Sequence, residues 1–109
     1  MDELVQRLSE GDHPVRLRRV ETPGALKDSI DRGYVLVTFT DTRGGTELGV
    51  RLDEALTDAQ QADFDQATGS VHLAGDLTLN YVKVRCVADV DLATLEGTGH
   101  LEILEEKHV

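Results

Sequence analysis

Four polar residues in the second half of the chain carry side chains that acid–base chemistry uses. His72 can act as a base near neutral pH. Asn80, Tyr81 and Arg85 can donate hydrogen bonds to a developing oxyanion. The four lie in one strand-like stretch, 70–90, and are candidates for a ligand-binding or small catalytic site. The alternative, which we favour, is an ordinary solvent-exposed sheet face. Side chains alternate between the two faces of a strand, so polar residues are expected on the exposed face in any case.

Acidic residues form a second candidate group. Asp89 and Asp91 flank Val90 and would point the same way from a strand. Together with Asp76 or Glu96 they could hold a hard cation such as Ca²⁺ or Mg²⁺, which takes carboxylate oxygens. We favour an exposed acidic face that protects the sheet edge or meets a partner protein, and we assign Asp76, Asp89, Asp91 and Glu96 to partner binding.

Sequence motifs for common cofactors and catalytic centres are absent. The chain has no phosphate-binding loop, no dinucleotide fingerprint, no paired cysteines and no nucleophile elbow. Its four histidines are not paired at metal-ligand spacing. The single cysteine, Cys86, excludes an internal disulfide, and we expect a buried apolar residue there. The sequence therefore predicts neither a metal nor a cofactor, and it favours a non-enzymatic protein.

Negative charge is concentrated in the second half of the chain. Residues 1–51 carry eight Lys/Arg and nine Asp/Glu, whereas residues 52–109 carry three and twelve. Phosphates would be repelled by the second half, so we expect no nucleic-acid and no membrane binding and a partner that is basic. The chain opens with acidic residues and has no long apolar run, from which we expect a cytoplasmic protein.

Two helices and a hairpin are predicted in the first half. Leu4, Val5 and Leu8 indicate a helix over 2–10. Thr22 and Pro23 begin a second helix, and Gly33 ends it. Apolar alternation predicts strands over 15–17, 34–40 and 48–52, the last two joined by a glycine-containing turn.

The second half reads mainly as strands. A capping-box pattern at 57–60 predicts a short helix ending near Gly69, with a structured loop as the alternative. Within 70–90, the apolar residues fall mainly at odd-numbered positions up to Tyr81 and at even-numbered positions from Val82 onwards; we call this the change in apolar parity. This change predicts either one strand with a β-bulge or a hairpin that turns at Gly75–Asp76. A turn at 96–99 precedes a last strand.

The element order predicts an α+β fold with a ferredoxin-like βαββαβ core, an N-terminal helix and extra C-terminal antiparallel strands. We expect one domain over 1–109, with 105–109 as a flexible tail. The predicted core is Val15, Leu17, Leu26, Ile30, Val35, Val37, Phe39, Leu48, Val50, Leu52, Phe64, Leu73, Leu79, Val82, Val84 and Cys86.

Three function classes fit these observations. The favoured one is a small acidic regulatory protein that acts by binding a partner protein, because the chain lacks a catalytic signature and one half is charge-biased. The second is a small-molecule binder or small enzyme built on His72, Asn80, Tyr81 and Arg85. The third is a self-assembling module, of which a homodimer is the commonest form.

Overall fold

A computed structural model of the protein describes residues 3–18 and 20–106, without the side chains of residues 105 and 106. The elements in this part of the chain, in order, are α1 (Glu3–Ser9), β1 (His13–Leu17), α2 (Pro23–Arg32), β2 (Tyr34–Phe39), β3 (Thr46–Leu52), β4 (Ser70–Leu79), β5 (Val82–Asp91) and β6 (Glu96–Glu106). Each strand is antiparallel to the next, and β1 pairs with β6. The sheet therefore closes into a barrel that follows the chain order.

The predicted ferredoxin-like α+β core is wrong. That fold needs a second crossover helix after the β2–β3 hairpin, and residues 53–69 form turns and isolated bridges instead. Phe64 is the one large aromatic side chain of the segment, which leaves no apolar stripe for a helix to bury. Without that helix, each strand pairs with its neighbour in sequence and the sheet closes on itself.

Aspartates organise the segment that replaces the predicted helix. A carboxylate oxygen of Asp53 accepts the N–H of Ala55 at 2.9 Å, and Asp58 accepts the N–H of Gln60 at the same distance. Asp63 accepts from both Asp65 and Gln66. Such side-chain bonds offer the backbone a partner outside a helix, and they favour turns. Three carboxylates of this segment, those of Asp53, Asp58 and Asp63, therefore hydrogen-bond to its own backbone.

A tight hairpin explains the parity change in the second half. β4 and β5 pair over ten residues each, from Ser70–Asp91 to Leu79–Val82, with only Asn80 and Tyr81 between them. Both turn residues have positive φ, 49° and 69°, as a type I′ turn requires. A two-residue turn returns the chain with Leu79 and Val82 on the same face. The bulged strand and the turn at Gly75–Asp76 are therefore both wrong.

The helices and strands predicted in the first half form, with bounds that differ by one or two residues, and Asp2 of the predicted 2–10 helix lies outside the described residues. Thr22 is the N-cap of α2 and its Oγ1 accepts the N–H of Ala25 at 3.1 Å, with Pro23 in the first turn. Gly33 ends the helix with a φ of 77°, and its N–H is donated to the carbonyl of Ile30. The predicted hairpin forms as β2 and β3.

The core fills the barrel interior and extends under α1. Every predicted core residue is buried or packs partly buried against the core, with Ile30, Leu52, Phe64 and Leu79 in the second group. Val5 and Leu8 of α1 are fully buried and belong to the same core cluster as the strand residues. β6 runs to Glu106, and residues 107–109 of the predicted tail lie outside the described residues. No helix among the described residues is long and apolar enough to cross a membrane.

Candidate protein-binding interface

The predicted ligand-binding residues do not converge. His72 and Arg85 lie on the outer face of β4 and β5, where each meets an acidic cross-strand neighbour. Eight residues of extended strand separate His72 from Asn80, about 26 Å at 3.3 Å per residue. Asn80 and Tyr81 form the hairpin turn itself. The structure therefore spreads the four residues along one hairpin without a common pocket.

Two of those residues are paired with members of the predicted acidic set. His72 Nδ1 lies 2.8 Å from Asp89 Oδ1, and the Arg85 Nε–H donates to Asp76 Oδ1 at 3.1 Å. These are cross-strand pairs on a wetted sheet face, and exposed pairs of this kind contribute about 1 kcal/mol or less. His72 and Arg85 therefore each hydrogen-bond to a neighbouring strand.

The acidic set splits into a paired and an open part. Asp91 sits beside Glu96 in the β5–β6 register, and its Oδ1 accepts the N–H of Ala93 at 2.7 Å in the turn between the strands. The Glu96 side chain is exposed and has no hydrogen bond or ion pair to another described residue. Asp89 and Asp91 are exposed as well, so three carboxylates share this end of the outer sheet face.

Metal ligands, the cysteine thiol and the surface clefts are the other features of the described residues that bear on chemistry. No group of three or more His, Cys, Asp and Glu among them is placed to hold a metal ion. Burial raises the pKa of the Cys86 thiol to about 12, which keeps it protonated and unreactive. Two open clefts, of about 360 and 450 Å³, lie beside α2 and on the outer face of β1. Neither is lined by the four predicted ligand residues.

An incompletely paired seam separates β3 from β4. The two strands share only two residue pairs, Arg51–Asp76 and Leu52–Gly75. Continued in register, Gly49 would face Thr78 and Thr46 would face Tyr81, yet no pairing exists there. In contrast, β4 and β5 pair over their whole length. The barrel is therefore open along this line, from the last β3–β4 pair to the two hairpin turns.

The backbone groups that face the seam follow from strand alternation. The N–H and C=O of His72 bond to Asp58, and the carbonyl of Ala74 accepts from Asp53, so even-numbered residues of β4 point away from β5. Thr78 therefore points its N–H and C=O into the seam.

The same argument applies to β3. The Leu52 N–H is donated to Gly33 on the β2 side, and the Arg51 carbonyl faces Gly75. Odd-numbered residues of β3 therefore face β4, and the backbone groups of Glu47 and Gly49 point into the seam.

Two turns flank the open end of the seam. Tyr81 projects from the β4–β5 turn with 72% of its surface exposed. On the other side lies the β2–β3 turn, 40–45, in which Gly45 N–H bonds to the Thr42 carbonyl and the Thr42 and Thr46 hydroxyls lie 2.7 Å apart. We call Glu47, Gly49, Thr78 and the turns 40–45 and 80–81 the seam surface. Its edges and exposed aromatic ring are features that strand-pairing partners use.

His13 connects the β2–β3 turn to the C-terminal end of α1. His13 Nδ1 lies 2.7 Å from Asp41 Oδ2, and its Nε2 lies 2.9 Å from the carbonyls of both Arg7 and Glu10. Both ring nitrogens thus face acceptors, which suits the doubly protonated ring. The hydrogen bond to Asp41 raises the pKa of His13, against the opposing effect of burial.

A small closed antiparallel barrel with paired surface charges and one open strand edge has the features of a surface on which a protein partner can pair. The comparison with known families agrees with that interpretation. The chain belongs to the core binding factor beta subunit family, whose sequence profile matches residues 12–109. This is a family of regulatory subunits that bind partner proteins. No match was found among curated proteins.

Sequence reasoning missed the backbone of the seam surface. Glu47, Gly49 and Thr78 carry no unusual side-chain pattern, because an open edge is a property of register between strands that are distant in the chain. One signal was readable: Asn80 is a residue that tolerates positive φ, and it lies where the apolar parity changes.

Proposed function

We propose that this chain is a regulatory subunit whose partner protein binds across the seam surface. The observation that carries the proposal is the short β3–β4 ladder, which leaves backbone donors and acceptors of β3 and β4 without strand partners at the open end. Exposed strand edges pair readily with another chain, and proteins that do not use them usually cover them. Here the neighbouring half of β4 is covered, because Asp53 and Asp58 bond to it.

The seam surface defines what the partner must supply. A strand or loop edge would hydrogen-bond to Glu47, Gly49 or Thr78, and an apolar group would cover Tyr81. Main-chain bonds of this kind give affinity, and side chains beside them give specificity. Tyrosine is among the residues enriched at binding hot spots, which suits Tyr81 as an anchor.

Charge supports a basic partner. Asp89, Asp91 and Glu96 are exposed at the far end of the outer sheet face, with Asp89 beside His72, whereas Asp76 is neutralised by Arg85. Charges outside the contact change the association rate more than the final affinity. We assign the three exposed carboxylates to steering of a basic partner, at a distance from the seam surface.

Amide hydrogen exchange tests where the partner binds. The family points to a Runt domain as the first partner to try. Titrating it into the labelled chain should slow exchange of the Glu47, Gly49 and Thr78 amides. The His72 amide is the internal control, because it is already bonded to Asp58 and should change little. Tight binding with unchanged exchange at the seam would place the interface elsewhere on the barrel.

Matched variants test whether Tyr81 contributes more to partner binding than an exposed apolar residue outside the seam surface. Tyr81→Gly removes the exposed ring while keeping a residue that accepts positive φ, and it should weaken binding by tenfold or more through faster dissociation, consistent with a hot-spot loss of about 2 kcal/mol. Leu56→Ala is the control, since Leu56 is an exposed apolar residue in the 53–69 segment. Equal affinities for the two variants would contradict the assignment of Tyr81.

Salt dependence tests the steering role. Replacing Asp89 and Glu96 by Asn and Gln should lower the association rate at low salt and leave it nearly unchanged at high salt. If the rate of the unmodified chain is insensitive to salt, the basic-partner proposal fails while seam binding stands. A cytoplasmic location and a homodimer stay predictions. Light scattering of the free chain at high micromolar concentration tests the homodimer.

A further inference from the structure

His13 occupies a position between three elements. Its Nδ1 lies 2.7 Å from Asp41 Oδ2 on the β2–β3 turn, and its Nε2 lies 2.9 Å from the carbonyls of Arg7 in α1 and of Glu10, the residue that follows α1. The ring packs edge-on against Phe39, with centroids 6.3 Å apart at 71°. The side chain is only 11% exposed. One ring therefore joins the C-terminal end of α1, the start of β1 and a turn of the seam surface.

The ring nitrogens face only acceptors. A neutral imidazole has one N–H, so either Asp41 or the Arg7 and Glu10 carbonyls would lose a donor on deprotonation. The protonated ring satisfies both sides, and its charge lies beside the Asp41 carboxylate and the partly negative end of a short helix.

Other charged groups around the ring reinforce the same link. The Arg7 guanidinium donates to the Asp41 backbone carbonyl at 3.1 Å, so α1 holds the turn at a second point. Glu10 contributes its carbonyl, and the Asp12 carboxylate lies 3.4 Å from His100 Nδ1. Phe39 adds no charge. The nearest carboxylate to the His13 ring is therefore that of Asp41.

We propose that His13, in its protonated form, is a positioning residue that holds the β2–β3 turn in place for partner binding. The inference rests on the proposed function, because this turn forms one side of the seam surface. A hydrogen bond between the Thr42 and Thr46 hydroxyls closes the base of the turn, and the contacts of Asp41 anchor its start. Deprotonation of His13 leaves one N–H, so the ring loses its hydrogen bond either to Asp41 or to the Arg7 and Glu10 carbonyls, and in both cases it no longer links the turn to the end of α1.

The consequence is a partner affinity that falls as pH rises. The pKa of His13 lies above its usual value of about 6.5, so the ring is protonated below that pH and loses its charge at higher pH. We expect the dissociation constant for the Runt-domain probe to rise several-fold across this transition. The affinity at low pH should be the higher of the two plateaus.

Variants of the full chain provide the test. His13→Gln stays neutral at every pH, so its affinity should be independent of pH over this range and match that of the unmodified chain at high pH. His72→Gln is the matched control, because His72 also pairs with an aspartate but lies on the outer face of β4. It should keep the full pH dependence.

A second variant separates positioning from simple folding. Asp41→Asn keeps an acceptor but removes the charge, so NMR titration of the His13 ring should show a lower midpoint, and the pH window of binding should move down with it. If the two midpoints do not move together, the proposal is overturned. Binding that is tight but equally independent of pH in all variants overturns it too, while leaving the seam interface intact. No binding at any pH would instead contradict the proposed function.

Discussion

Gly75 of β4 lies so close to the backbone carbonyl of Arg51 in β3 that no side chain fits between them. A Cβ at Gly75 would collide with the Arg51 oxygen and lie 2.8 Å from Val50 Cγ1. This contact falls within the two residue pairs that join β3 to β4. The closure of the barrel therefore depends on the absence of a side chain at one position.

Gly75→Ala should destabilise the barrel more than Gly49→Ala. The added methyl at Gly75 meets backbone atoms that cannot move without breaking the β3–β4 pairing, and we expect a loss of about 3 kcal/mol, at the upper end of overpacking effects. The methyl at Gly49 meets the Tyr34 phenol, the far end of an exposed side chain that can rotate away. Urea unfolding of both variants gives the comparison.

The comparison to make is whether Gly75→Ala lowers the free energy of unfolding more than Gly49→Ala does. Equal losses would mean that β3 and β4 can separate at Gly75 without penalty. In that case the short ladder would contribute little to closing the barrel.

Tyr81→Gly should stabilise the free protein by about 1 kcal/mol, because Tyr81 has a φ of 69° and bulky residues adopt that region at a cost. Asn-Gly is also the preferred pair for a type I′ turn. Tyr81→Val should have the opposite sign, since β-branching worsens the strain. Thermal unfolding of the two variants gives the sign directly. A Tyr81→Gly chain that melts below the unmodified one would show that the ring makes stabilising contacts.

Stability should decline as pH rises above about 6.5. The pKa of His13 is raised in the folded state by its hydrogen bond to Asp41, so this group's contribution is complete below the unfolded value of about 6.5. It is lost as pH rises through the folded value. Urea unfolding at pH 6 and pH 8.5 should show this fall in the unmodified chain, and a smaller one in His13→Gln. An equal fall in both chains would assign it to other groups.

Asp91→Ala and Glu96→Ala should differ although the two residues face each other. Asp91 accepts the Ala93 N–H in the β5–β6 turn, so its loss should cost about 1 kcal/mol. The Glu96 side chain has no described partner, and its replacement should fall within about 0.5 kcal/mol of zero. Thermal unfolding at moderate salt is the measurement. A larger effect at Glu96 would point to repulsion from Asp91 as the dominant interaction.

The local elements of the fold were readable from the sequence, and their assembly was not. Thr22 and Pro23 carry the chemistry of a helix start and Gly33, ten residues after Pro23, that of a helix end, so α2 follows from local rules. The 57–69 segment shows the limit. Its capping-box pattern was present, but the aspartates bond to nearby turn amides, and too few apolar residues remain to hold a helix. Because a helix was predicted over this segment, the element order indicated a layered α+β fold instead of a barrel.

The candidate site was even less accessible. Side-chain patterns led to His72 and Arg85, which the structure ties to Asp89 and Asp76. The seam surface depends on which backbone groups lack a strand partner, and that depends on register across the 53–69 segment. Likewise, nothing in the sequence around His13 shows that Asp41, 28 residues away, would face its ring.

The burial of Cys86 gives the barrel a reporter of its own opening. The thiol sits at the middle of β5, between Gly75 on β4 and Leu101 on β6, and its raised pKa keeps it unreactive. A thiol reagent can reach it only when the central strands separate. Because the chain has no other cysteine, the labelling rate counts opened molecules directly, without an added probe. If a bound partner slows labelling, the decrease in rate measures how far binding lowers the fraction of molecules in which the central strands have separated.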